Sequence, residues 1–208
     1  MKIKTFYSYF RSSTAYRLRI ALNLKGVQPQ EVKYINLREG EQRSAEYMAV
    51  NPMGALPALV LEDGTVLTQS MALLEWLEEA CPEPALLPKD SVLRARVRAF
   101  CHIISSDIHP VNNLRVLNYL STEFGADEAA KKQWIHHWTH QAFPALEKMV
   151  ADAKEITMAD ICLIPQWYNA ERFGVDLAAY PQLAHRVAHC RTLPAFDLAR
   201  PENQPDFS

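Results

Sequence analysis

The run Arg11-Ser12-Ser13-Thr14-Ala15-Tyr16-Arg17-Leu18-Arg19-Ile20-Ala21-Leu22 sets three consecutive hydroxyls between arginines, just ahead of an apolar helical stripe. The chemistry such a run supports is the holding of an anion. The first turn of a helix leaves N–H groups without partners and carries the positive end of the helix dipole, so with the hydroxyls it stabilises a thiolate as readily as a phosphate. The same residues also make an ordinary N-cap, and the run alone leaves both uses open. Position 14 is threonine, so the run has no sulfur of its own. The four cysteines, Cys81, Cys101, Cys162 and Cys190, show neither a CxxC pair nor a zinc spacing and read as reduced, mostly buried thiols. Thiol chemistry at the run therefore needs a thiol from another molecule.

The elements that must position these residues alternate over the first 80 positions. An apolar strand over 3–7 leads into an amphipathic helix over 15–25, whose stripe of Leu18, Ala21 and Leu22 ends at Gly26. A strand over 31–37, a short helix over 45–50, strands over 56–61 and 66–68, and a helix over 71–80 follow. Asp63-Gly64 between the two apolar runs predicts a hairpin of the tight two-residue type. The order β-α-β-α-β-β-α suits a small mixed sheet covered by helices, for which the thioredoxin-like arrangement is the best-known solution. Pro82, Pro84 and Pro88 then mark a linker. Beyond it the pattern is helical: Leu93, Val97, Phe100, Ile104 and Ile108 recur until Pro110, and further helices fit 128–150 and 181–193. Another helix starts at Thr157, where Thr157 and Asp160 form a capping box. The fold class is thus α/β plus all-α, with domains over 1–81 and 91–208 and a linker over 82–90.

Lys+Arg number 22 against 24 Asp+Glu, so the net charge of -2 supplies no basic field for nucleic acid. No stretch approaches the roughly 20 apolar residues of a membrane span, and the N-terminus lacks a signal-peptide layout, so the expected location is the cytoplasm. His136 and His140 share a helix face without a partnering carboxylate motif. They read as a polar face, and no metal is expected.

Tyr7-Ser8-Tyr9-Phe10-Arg11-Ser12-Ser13 with Arg17-Leu18-Arg19-Ile20-Ala21-Leu22 resembles the signature of the zeta-class glutathione transferases. Asn51-Pro52-Met53, Leu56-Pro57, Gln69-Ser70, Leu86-Leu87-Pro88, Thr157-Met158-Ala159-Asp160, Asn169-Ala170-Glu171-Arg172-Phe173, Val175-Asp176-Leu177 and Gln204-Pro205-Asp206 match in the same order. Two positions depart from the pattern: Thr14 stands where the class has cysteine, and Tyr16 where it has tryptophan. The stretch between Val150 and Thr157 is also several residues shorter than usual. The resemblance implies an N-terminal thioredoxin-like domain, a C-terminal helical bundle, a cis bond at Leu56-Pro57, glutathione as cofactor and a homodimer.

It further implies a glutathione-dependent cis–trans isomerase that converts maleylacetoacetate to fumarylacetoacetate in tyrosine and phenylalanine breakdown. Alternatives are a maleylpyruvate isomerase of gentisate breakdown, a transferase acting on α-halo acids, or a glutathione-binding stress protein without chemistry. In the isomerase, a thiolate adds to the conjugated double bond, the resulting single bond rotates and the thiolate leaves. An alkyl thiol has a pKa of about 8.5, so the site must lower it; Ser12 is the expected donor, with Ser13 beside it and Arg11 completing the catalytic set. Glutathione is expected against Ser12, Ser13, Thr14, Ala15, Tyr16, Arg17, Gln42, Leu56, Pro57, Gln69, Ser70 and His109. In this reading Leu56 pairs by its backbone with the cysteinyl part, and Ser70 receives the γ-glutamyl carboxylate at a helix start. The small dicarboxylate substrate is expected against Arg11, Asn113, Leu114, Arg115 and Arg172, since a guanidinium binds carboxylate bidentately and stays charged.

Overall fold

A computed structural model describes residues 2–150 and 155–208; most of the short stretch between Val150 and Thr157 falls outside the described residues. The chain divides into two compact units, one formed by residues up to Leu86 together with Arg191–Ser208, the other by Leu87–Cys190. The last 18 positions, expected with the helical domain, thus belong to the first unit.

In the first unit β1 (Ile3–Ser8) lies between β2 (Glu31–Tyr34), parallel to it, and β3 (Ala58–Leu61), antiparallel to it, and β4 (Val66–Thr68) closes the sheet in the order β2-β1-β3-β4. Helices α1 (Ser13–Lys25), α2 (Ala45–Val50) and α3 (Ser70–Ala80) join the strands in the predicted order. The hairpin is of another type than expected. Gly64 N–H donates to Leu61 O at 3.0 Å, Leu61 N–H donates to Thr65 O at 2.9 Å, and Gly64 takes φ +86°. Glycine therefore sits at the left-handed position of a three-residue loop, where it relieves the bulge, rather than in the middle of a two-residue turn.

Helix α1 is the centre of this unit, and it is not amphipathic in the expected sense. Every residue from Ala15 to Leu22 is buried, Arg17 and Arg19 included. One side of α1 packs on α3 and another on the short helix near the C-terminus (Pro194–Asp197). Its last turn ends at Gly26 in the left-handed conformation, as the sequence indicates. There the Lys25 ammonium is wholly enclosed, 2.6 Å from Glu78 Oε2 and 2.7 Å from Pro84 O. Glu78 accepts the N–H of Leu86 through both oxygens at 2.9 and 3.0 Å. This buried pair satisfies the backbone of a proline-rich segment that can form neither helix nor ladder.

The second unit is helical. It holds α4 (Ser91–His102), α5 (Leu114–Phe124), α6 (Glu128–Met149), α7 (Met158–Arg172) and α8 (Pro181–Arg191), which runs across the unit boundary. Past α4 the backbone widens into a π-helical turn, Ile103–Ile108, with His109 N–H donating to Ile104 O at 2.9 Å. Of the expected stripe, Phe100, Ile104 and Ile108 are buried while Leu93 is 48% exposed. Periodicity says which side chains share a face, not how far along a helix its neighbours reach. Helix α5 is absent from the sequence reading although its signals are present: Asn113 caps the N–H of Arg115 at 3.2 Å and Gly125 stops the last turn.

The capping box of α7 forms as expected, and Asp160 does more than cap. Its carboxylate also takes a two-pronged contact from Arg186, 2.6 and 2.8 Å, joining α7 to α8. Burial, then the Asp160 charge, pushes the neighbouring Cys190 thiol up to about 12. All four cysteines carry thiols rather than disulfides, and Cys101, Cys162 and Cys190 are buried. His136 contacts Phe173 O at 2.9 Å and His140 Nδ1 contacts the Tyr180 hydroxyl at 2.8 Å, so both rings tie helices together. Among the described residues no helix is long and apolar enough to cross a membrane.

Candidate active site

The loop from β1 to α1 brings Ser12 to the N-cap of α1 with extended backbone, φ −70° and ψ 110°. Its Oγ accepts the N–H of Ala15 at 3.2 Å and lies 2.9 Å from Thr14 Oγ1, which in turn donates to the carbonyl of Leu56 at 2.9 Å. Proton counting fixes the direction of the middle bond. A hydroxyl has one proton, and a carbonyl cannot donate, so the Thr14 proton goes to Leu56 and the Ser12 proton goes to Thr14. A single relay therefore runs from the Ala15 N–H through Ser12 and Thr14 to Leu56. A sulfur anion placed at Ser12 competes with Thr14 for that one proton.

The acceptor end of the relay is also held. Leu56-Pro57 is a cis peptide, as the resemblance implies, and both residues are buried. The preceding carbonyl, Ala55 O, accepts the Tyr47 hydroxyl at 2.6 Å and Asn51 Nδ2 at 2.7 Å. Asn51 Oδ1 takes the N–H of Met53 at 3.1 Å, which gives the Asn51-Pro52-Met53 motif a physical role in shaping this turn.

One turn further along α1, Arg17 is 1% exposed, and its Nη1 donates to Ser70 Oγ at 3.2 Å. Its Nε and Nη2 are buried and make no hydrogen bond among the described residues. Ser70 is the first residue of α3, preceded by Gln69 at φ +69°, a conformation that costs a side-chain-bearing residue of order 1–3 kcal/mol. A buried guanidinium with two unspent donors, a hydroxyl and a helix start converge here. This donor set fits a carboxylate.

The remaining expected residues fall into three groups. Ser13 opens α1, Arg11 is half-buried with its guanidinium 5.8 Å from the Phe10 ring, and Ala15 supplies the N–H that Ser12 accepts. Gln42 stands apart, in the turn Glu41–Arg43, with Oε1 buried and unbonded among the described residues. Tyr16 is buried in the first unit. Its ring lies 5.1 Å from the Arg19 guanidinium on the side of α1 away from Thr14, and burial holds its phenol far above the ordinary value. A tyrosine in a tryptophan position thus fills core space.

In the second unit, His109 Nε2 lies 3.5 Å from Asn113 Nδ2, and Asn113 caps the helix that begins with Leu114 and Arg115, both exposed. Arg172 ends α7, donates to Asn169 Oδ1 at 3.0 Å and sits 4.1 Å from the Phe173 ring. Sequence reading misses Asn112, which is buried with both amide atoms unbonded among the described residues.

Residues 11–80, the interval that holds Ser12, Thr14, Arg17, Leu56 and Ser70, match the family model for the glutathione S-transferase N-terminal domain. The chain is 44% identical over 206 residues to the maleylacetoacetate isomerase of Pseudomonas aeruginosa, covering 96% of this chain and 97% of that one. It is 47% identical to the maleylpyruvate isomerase of Ralstonia sp, covering 96% and 98%. A solved maleylpyruvate isomerase, described as a bacterial zeta-class glutathione transferase, is 44% identical with a TM-score of 0.94 over 98% of this chain and 100% of that one. The chain is a zeta-class glutathione transferase. Another solved relative, the maleylacetoacetate isomerase of Methylobacterium extorquens with bound malonate and glutathione, is 33% identical with a TM-score of 0.93 and covers 98% and 99%. Membership in the class accounts for the mixed sheet, the cis turn and the helical second unit.

Proposed function

We propose that this chain catalyses the glutathione-dependent cis–trans isomerisation of maleylacetoacetate to fumarylacetoacetate, in the breakdown of tyrosine and phenylalanine. The observation that carries the reading is the pairing of a hydroxyl relay from Ser12 to Leu56 with a buried, partly satisfied arginine at Ser70. Glutathione, when bound, would supply the sulfur nucleophile for reversible addition to the double bond, which Thr14 does not offer. Arg17 and Ser70 receive the γ-glutamyl carboxylate, and the backbone beside Pro57 receives the cysteinyl part. Ser12 turns its proton from Thr14 to the sulfur, and the start of α1 adds its dipole. Each unit by which the sulfur's pKa falls corresponds to about 1.4 kcal/mol, within reach of one charge-assisted hydrogen bond and the dipole. Arg11, Arg115 and Arg172 are the cations proposed for the carboxylates of the diacid.

Maleylpyruvate is the second reading, favoured by the 47% identity to the Ralstonia enzyme. The two substrates share a diacid frame and differ in chain length. A homodimer in the cytoplasm completes the proposal, on the habit of the class. The test follows the ultraviolet absorbance of each maleyl diketo acid with and without glutathione. Isomerisation that requires the tripeptide is expected, fastest with maleylacetoacetate. Equal rates without glutathione, or tight glutathione binding with no turnover of either acid, would overturn the proposal.

A further inference from the structure

The closing Gln204-Pro205-Asp206 motif has no part in the chemistry above, yet it reaches the active-site loop. Asp206 Oδ2 accepts the N–H of Phe10 at 2.9 Å, from 196 positions away in the chain. That N–H belongs to the peptide plane joining Tyr9 to Phe10. The carbonyl of the same plane, Tyr9 O, accepts the N–H of Ser12 at 3.0 Å and Arg19 Nη1 at 3.2 Å. One rigid peptide unit thus bears the Asp206 side-chain carboxylate on its N–H and the backbone of Ser12 on its C=O. Arg19 closes the circuit, donating through Nη2 to Phe10 O at 3.0 Å and through Nε to Ala199 O at 2.9 Å.

The terminal segment is itself braced. Gln204 Nε2 donates to Leu198 O and Arg200 O, both at 2.9 Å, and the Phe207 ring meets the Phe10 ring edge-on at 5.4 Å. A carboxylate accepting a peptide N–H polarises that peptide and strengthens its carbonyl as an acceptor, so the grip on Phe10 is transmitted to Ser12.

We propose that Asp206 is a positioning residue for Ser12: acting through the Tyr9–Phe10 peptide, it sets how the Ser12 hydroxyl is presented, which makes the terminal segment a working part of the active site. The proposal rests on the role of Ser12 in the function proposed above. Its test uses the full chain, with Asp206→Ala and, as the conservative variant that keeps an accepting oxygen, Asp206→Asn. In the ligand-free protein, amide hydrogen exchange at Phe10 and Ser12 is expected to quicken about tenfold or more in D206A and to return most of the way in D206N. With glutathione bound, D206A is expected to lower kcat about tenfold and to move the titration of the bound thiol, read by thiolate absorbance, upward by about one unit. KM for the diacid stays within about twofold, and D206N recovers most of kcat.

Unchanged exchange in D206A overturns the proposal, whatever the kinetics. So does quickened exchange with an unaltered kcat and thiol titration in a parent enzyme that turns over. A parent that fails to isomerise sinks the proposed function instead, and the exchange rates then decide the role of Asp206 alone.

Discussion

Two residues apart in α1, Arg17 and Arg19 are both buried, at 1% and 6% exposure, and opposite in their hydrogen bonding. Arg19 donates to Ser8 Oγ, Tyr9 O, Phe10 O and Ala199 O. Arg17 has Ser70 Oγ, with Nε and Nη2 unbonded among the described residues. Enclosing a cation costs several kcal/mol unless its donors are used, so the two sites teach different things. A saturated buried arginine holds the fold together. An unsaturated one keeps donors available to an anion.

The sharpest way to break this contrast is Arg19→Met, which takes a donor away from three carbonyls and a hydroxyl at once. A loss of about 3–5 kcal/mol is expected, seen as a fall in Tm of roughly 10 °C. A fall of only a degree or two would remove Arg19 from its structural role. Next in size is Ser12→Ala, on the anion-binding side. Turnover should drop about 100-fold, while loss of the cap costs about 1 kcal/mol of stability. Parent-like turnover across neutral pH would take Ser12 out of the chemistry.

Arg17→Met sharpens the comparison directly. KM for glutathione should rise about tenfold or more with Tm changed far less than in Arg19→Met, because only the Nη1 contact to Ser70 is spent in the ligand-free fold. A destabilisation equal to that of Arg19→Met would erase the distinction. The smallest effect is expected at Thr14. Thr14→Val breaks the relay between Ser12 and Leu56 and should change kcat by about threefold to tenfold, whereas Thr14→Ser keeps the hydroxyl and stays near the parent. Identical kinetics for the two variants would show that the relay has no bearing on the sulfur.

Much of the fold was legible because it depends on local rules. The strand and helix order of the first unit, the Gly26 stop and the Thr157–Asp160 capping box all follow from periodicity and cap chemistry within a few residues. The errors share a cause. The hairpin type depended on which of two positions Gly64 takes in the ladder, and the exposure of Leu93 on what packs beside α4 in space.

The residue types at the start of α1, the turn before Pro57 and the helix at Ser70 are written in the sequence, and with them the capacity to hold an anion beside a hydroxyl. Those features act over one or two turns, where spacing and chemistry are enough. Tertiary structure alone decided which way the Ser12 proton points, which arginine of α1 keeps unspent donors, and that Asp206 closes on Phe10. Each of those is a hydrogen bond between residues that meet only after folding. A donor's partner in space has no counterpart in the spacing of the chain.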